Sequence, residues 1–187
     1  MKSVRLTREG WLELGLEALA SHGPSALKLA EICKAAGVTR GSFYHHFMDH
    51  GEFLEAMVRH RHAIEADVLA EVLPDGTEAE TAMEALTDLA IGLDYRLELG
   101  LRELARVHPP VARAMADVDA TRVAIMSPLY AAFYGISEPE ARDASVLEYG
   151  TFLGLMLMDP DRSETEQRRL YGVYLSMQRA RYGAPKT

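Results

Sequence analysis

Six of the seven histidines in this 187-residue chain fall before residue 63, and a metal site is the first chemistry they suggest. Imidazole is the commonest protein metal ligand. The spacing speaks against it. His46 and His50 are four apart, but Met48-Asp49 reads as a break between them, so no continuous helix puts both on one face. His60 and His62 point to different faces of a helix. A structural or binding role outweighs metal, and no metal or cofactor is expected. Cys33 is the only cysteine, which excludes an intramolecular disulfide and a Cys-based zinc site. It falls where a small residue packs, so the thiol reads as buried and inert. Catalysis has no better support. The tyrosines Tyr95, Tyr130, Tyr134, Tyr149, Tyr171 and Tyr174 and the carboxylates around them form no nucleophile elbow, phosphate loop or paired-acid arrangement. The chain is expected not to be an enzyme and to hold no catalytic residue.

The stretch Leu29–Phe47 carries a sharper signal. A first short helix packs through Leu29 and Ile32. Gly37 then turns the chain, at a position where the backbone needs φ > 0, and Val38 plugs the angle. A second short helix buries Phe43 and Phe47 and presents Thr39, Arg40, Gly41, Ser42, Tyr44 and His45. A helix this small and polar can enter the DNA major groove with its first residues nearest the base edges. Thr39 and the free N–H groups suit a phosphate.

The elements that must position these residues are helical throughout. Thr7 caps a helix over 8–22, which Gly23-Pro24 ends. Short helices follow over 27–35 and 40–46, and a long one runs from Asp49 to about 72. Pro74-Asp75-Gly76 is a loop, and Thr77-Glu78-Ala79-Glu80 reads as a capping box for a helix over 78–95. Another helix runs to about 107, and one over 110–134 contains Pro128. Capping boxes at Ser137 and Ser163 open helices over 138–158 and 164–182, and the tail from 183 frays. The class is all-α, with about nine helices.

Ala36-Gly-Val-Thr-Arg-Gly-Ser-Phe-Tyr-His-His-Phe47 resembles the recognition segment of the TetR family of bacterial transcriptional regulators. The resemblance extends back through Arg8-x-x-Trp11-Leu12 and Gly23 and forward to Glu52-x-Leu54, over residues 7–60. It implies a homodeomain-like three-helix head with a helix-turn-helix, over 5–65, and a helical ligand-binding and dimerisation domain over 66–187. It also implies a repressor that binds double-stranded DNA at a palindromic operator as a homodimer and is released by a small molecule. By the same resemblance Thr39, Tyr44 and His45 meet phosphates, Arg40, Gly41 and Ser42 approach bases, and Arg8 reaches a flanking phosphate. Arg40 can pair with guanine O6/N7 or grip phosphate alone, and both remain open. Tyr44 could pack inward instead, and His46 reads as a structural contact with the fourth helix.

Two positions depart from the family pattern. His50 stands where a phosphate-gripping Lys is usual, and Lys28 stands where a small hydroxyl residue is commoner. Lys28 would restore the lost charge, and DNA affinity would rise as pH falls through the histidine range. A helical sensor or binding protein that has lost DNA reading is the alternative.

The family's pocket lies among the helices after the fourth. Here those supply Met83, Leu86, Leu89, Leu93, Leu97, Leu101, Met115, Met126, Tyr130, Phe133 and Tyr134. Such walls suit an apolar or aromatic ligand, although ordinary core is the simpler reading of any one of them. Dimerisation has its own handle. Gly150 and Gly154 lie inside a strong helix, where each costs about 0.5–1 kcal/mol relative to Ala. Close approach of another helix is one reason to tolerate both. The resemblance pairs the last two helices across a twofold axis, through Leu147, Gly150, Gly154, Leu157 and Met158 against Leu170, Val173, Tyr174 and Met177.

The net charge of −8 seems to oppose nucleic acid. Its distribution does not. Residues 1–62 carry 8 basic and 7 acidic residues, whereas 63–187 carry 12 and 21. The acid belongs to the presumed sensor domain. Even so, Arg5, Arg8, Lys28, Lys34 and Arg40 are nearly all the fixed positive charge before the long helix. No apolar run approaches a membrane span of roughly 18 residues, and a cytoplasmic protein with no membrane partner is expected.

Overall fold

A computed structural model describes residues 6–74 and 76–183; Arg5, Asp75 and the tail from 184 lie outside them. The described residues form helices and no strands. In order these are α1 (Arg8–His22), a 3-10 turn (Pro24–Leu27), α2 (Leu29–Ala35), α3 (Arg40–Tyr44) and α4 (His50–Val72). Then come α5 (Ala79–Ile91), α6 (Tyr95–Ala105), α7 (Pro109–Tyr134), α8 (Glu138–Met158) and α9 (Glu164–Tyr182). The all-α reading holds.

Helix ends follow local chemistry. Thr7 accepts the Gly10 N–H at 3.0 Å and caps α1. Gly37 turns the chain after α2 with φ +66, a region that glycine enters without Cβ strain. Ser137 and Glu140 form the expected reciprocal capping box at α8, and Ser163 caps α9 through the Glu166 N–H. Thr77 does not cap. Its hydroxyl donates to the Pro74 carbonyl at 2.6 Å and closes the loop, so α5 starts after Glu78 with no side-chain cap. Three boundaries also shift. Pro24 begins a separate 3-10 turn, which delays α2 to Leu29. α3 ends at Tyr44, with a turn through His46. α5 ends at Ile91, because the chain bends at Gly92 before α6 begins.

Two compact units divide the chain. The first joins the residues up to Val68 with Arg96–Val118, and the second joins Leu69–Tyr95 with the residues from Asp119 onward. The first has an aromatic and aliphatic core of Trp11, Leu19, Phe43, Phe53, Met57, Leu101 and neighbours. Two glycines there permit close approach. A Cβ on Gly15 would lie 2.6 Å from Met57 Sδ, and one on Gly100 would lie 2.8 Å from Leu19 Cδ1. The second unit packs Met83, Tyr130, Phe133, Tyr134, Ala141 and Ala144 together.

Candidate nucleic-acid interface

α3 has five residues, too few to hold itself in water. Phe43 holds it. Its side chain is fully buried, with ring centroids 5.4 Å from Trp11, 5.1 Å from Phe47 and 5.3 Å from Phe53. The Trp11 and Phe53 contacts are edge-to-face, the arrangement aromatic quadrupoles favour. With Phe43 fixed inward, Thr39, Arg40, Gly41, Tyr44 and His45 are exposed and Ser42 is half-buried. Tyr44 is 54% exposed, which answers the inward-packing alternative. Thr39 occupies the cap position of α3, yet its hydroxyl makes no capping bond. A Cβ on Gly41 would meet only Thr39 Oγ1, at an ordinary 3.6 Å. Nothing inside the head therefore requires a glycine there.

The other three residues expected at DNA differ in kind. Lys28 is exposed at the cap position of α2, supplies no side-chain cap and has no ion pair among the described residues. Arg8 is held. Its Nη2 lies 3.2 Å from Glu52 Oε1, and its guanidinium sits 5.0 Å above the Phe47 ring. Glu52 in turn accepts the Met48 N–H at 2.6 Å, and its own N–H goes to Asp49 Oδ1 at 2.8 Å. The cap of α4 and the flanking arginine thus form one linked set. His50 is half-buried, with Nε2 2.6 Å from the Leu27 carbonyl oxygen. A carbonyl only accepts, so Nε2 carries the proton and donates it to the backbone. Nδ1 is the ring nitrogen left for any other partner.

Cys33 is buried, and burial pushes its thiol up despite Arg40. No three His, Cys, Asp or Glu among the described residues gather as a metal ion requires. No described helix is long and apolar enough to cross a membrane.

The residues expected at a pocket are not all brought together. Leu97, Leu101 and Met115 lie in the core of the first unit with Trp11 and Phe43. Met83, Met126, Tyr130, Phe133 and Tyr134 cluster in the second. Leu86, Leu89 and Leu93 are half-buried. Of the residues expected at a dimer face, Leu147, Leu157, Val173 and Met177 are 52–68% exposed. Leu170 and Tyr174 are half-buried, and a Cβ on Gly150 or Gly154 would meet nothing within 4 Å.

One group escaped the sequence reading. Glu148 on α8 is buried and accepts hydrogen bonds from the hydroxyls of Tyr130 on α7 and Tyr171 on α9. Burial raises its pKa to about 7, against the opposing effect of the Tyr130 bond. Tyr174 interacts with Tyr130, accepts from Gln178 Nε2, and is pushed up to about 12, chiefly by burial. The signal was present in the spacing. Ala141, Ala144, Ser145 and Glu148 share one buried face of α8, and Glu148 completes it at i+7.

Comparison with known proteins agrees with this geometry. Residues 12–57 match the family model for bacterial regulatory proteins, tetR family. The transcriptional regulator AcuR of Cereibacter sphaeroides is 35% identical over 77 residues, covering 41% of this chain and 35% of that protein. A probable acrEF/envCD operon repressor of Escherichia coli is 30% identical over 89 residues, covering 48% of this chain and 40% of that protein. These matches thus span well under half of each relative's own length. The crystal structure of reduced Escherichia coli NemR shares the fold with a TM-score of 0.73 at 22% identity, over 87% of this chain and 92% of that one. Residues 12–57 are thus similar to the N-terminal domain of bacterial regulatory proteins of the tetR family, and over its greater length the chain shares the fold of such regulators.

Proposed function

We propose that the chain is a transcriptional repressor that binds a palindromic operator as a homodimer and lets go when a small molecule occupies its second unit. The observation that carries the DNA reading is the division of α3. Phe43 is fully buried, while Arg40, Gly41 and Tyr44 face out around a glycine the fold does not require. Arg40 is the group that reads a base edge, and Thr39, Tyr44, His45 and Lys28 supply the phosphate contacts. Arg8 joins them by leaving Glu52, and His50 serves chiefly as a strut to Leu27.

The partner is a second copy of the chain. Leu147, Leu157, Val173 and Met177 leave apolar surface open on α8 and α9, and the open Cβ positions at Gly150 and Gly154 give a backbone room to approach. Selection of random duplexes by the purified chain, followed by gel shift, tests the reading. The expected result is a palindrome with half-sites about 10–10.5 bp apart, or a multiple. Recovery of no sequence preference overturns it in favour of a helical sensor without DNA reading.

A further inference from the structure

We propose that the second unit binds an organic ammonium ion, a protonated amine on an apolar or aromatic frame, at the Glu148 carboxylate among α7, α8 and α9. The proposal rests on the reading of this unit as a sensor and names the chemistry it would sense.

Glu148 is 6% exposed, and no Lys, Arg or His among the described residues forms an ion pair with it. A buried carboxylate without a cation is costly when ionised, and two tyrosine hydroxyls offset only part of that cost. A second observation points to a missing group. Tyr134 is 3% exposed, and its hydroxyl oxygen has no hydrogen-bond partner among the described residues. Its ring lies 5.6 Å from that of Tyr130 and 5.5 Å from that of Tyr182, and Glu148 acts on it electrostatically. An ammonium N–H can donate to the Glu148 carboxylate and to the Tyr134 oxygen together. The hydroxyls of Tyr130 and Tyr171 already converge on the carboxylate and would accept from an ammonium N–H as readily as they donate. An anion would meet a carboxylate, and a neutral ligand would leave the charge uncompensated. Tyr171 is only half-buried, so it is the member that yields its bond to Glu148 on entry.

The groups acting on or bonded to Glu148 are Tyr130 and Tyr134 from α7 and Tyr171 and Tyr174 from α9; Gln178 donates to Tyr174, and Arg179 and Tyr182 act on Tyr134. Among these Arg179 is the cation, and it is exposed. The site binds the ionised carboxylate, so ammonium affinity rises with pH and levels off above about 7, where Glu148 is already ionised.

Titration calorimetry of the full chain with phenethylammonium, phenethyl alcohol and phenylpropionate isolates charge on nearly constant frames. The expected result is at least tenfold tighter binding of the ammonium than of either control, with affinity rising from pH 6 to 8. Equal or tighter binding of the alcohol or the carboxylate overturns the proposal, as does no ammonium binding in the millimolar range. Glu148→Gln should abolish the preference for the cation. Tyr134→Phe, which removes only the unpartnered hydroxyl, should weaken ammonium binding several-fold without lowering the melting temperature. If both variants bind the ammonium like the parent chain, the site lies elsewhere and the proposal falls. Operator selection is scored separately. A chain that selects DNA but shows no charge preference refutes the ammonium and keeps the repressor; the reverse outcome does the opposite.

Discussion

The two units invert each other's use of polarity. In the first, the interior is apolar and aromatic except for Glu98, which is buried but paired with Arg102 at 2.8 Å, and the polar groups of α3 are outside. In the second, a carboxylate and several tyrosines are buried, while Leu147, Leu157, Met158 and Met177 stand more than 60% exposed on α8 and α9. A conventional interior with a polar reading face suits recognition of a charged polymer. Exposed apolar side chains suit a protein partner, and buried polar groups suit a small ligand or a proton. The difference teaches where to look. The reading proposed for the head rests on its surface, whereas that proposed for the second unit rests on a buried carboxylate with no cation beside it among the described residues.

Breaking the head's interior should have the largest effect. Phe43→Ala removes the ring on which Trp11, Phe47 and Phe53 converge and should cost about 3–5 kcal/mol. Thermal melting should show the loss, and gel shift should show no retained DNA. Breaking the apolar surface of the second unit should spare folding but not assembly. Gly154→Leu fills the open space beside α8 that the proposed interface requires. It should convert dimer to monomer in sedimentation and abolish operator binding, and a surviving dimer would move the interface elsewhere. Changing the reading face should do less. Arg40→Ala should cost about 1–3 kcal/mol of DNA affinity and relax preference at one base pair if Arg40 reads guanine. Uniform weakening across sequences, measured by competition gel shift, would make it a phosphate contact instead.

The smallest effect concerns the buried carboxylate. Folding raises the Glu148 pKa to about 7, so the folded state keeps a proton that the unfolded chain releases. Its contribution to stability is therefore full below the ordinary carboxylate range and lost as pH rises toward 7. Glu148→Gln should flatten this decline in the melting temperature between about pH 5 and 7 while leaving the rest of the profile unchanged. A profile identical to the parent's would place the proton on another group.

The helices were legible because capping and breaking residues act locally. Thr7, Gly37, Ser137 and Ser163 each did what their type and position imply. Thr77 misled because a hydroxyl that can cap can also close a turn, and proximity to the Pro74 carbonyl decided it. The outward face of α3 was legible for a similar reason, since Phe43 and Phe47 fix the helix phase. What the sequence hid was long-range pairing. Nothing local indicates that Arg8 meets Glu52, that His50 meets the Leu27 carbonyl, or that Tyr130 and Tyr171 converge on Glu148. Leu97, Leu101 and Met115 show the same limit. Their apolar spacing marks a buried face but does not say which core receives it.

Gly41 carries a consequence for engineering. The residue is helical, its φ is ordinary, and a Cβ built there meets only Thr39 Oγ1 at an ordinary contact distance. The fold therefore imposes no identity at this position; any constraint comes from whatever the helix touches. A library at residue 41 would vary the contact surface while the scaffold stays constant. Most replacements would even gain helix propensity over glycine. That makes it a site at which target preference can be rewritten separately from foldability.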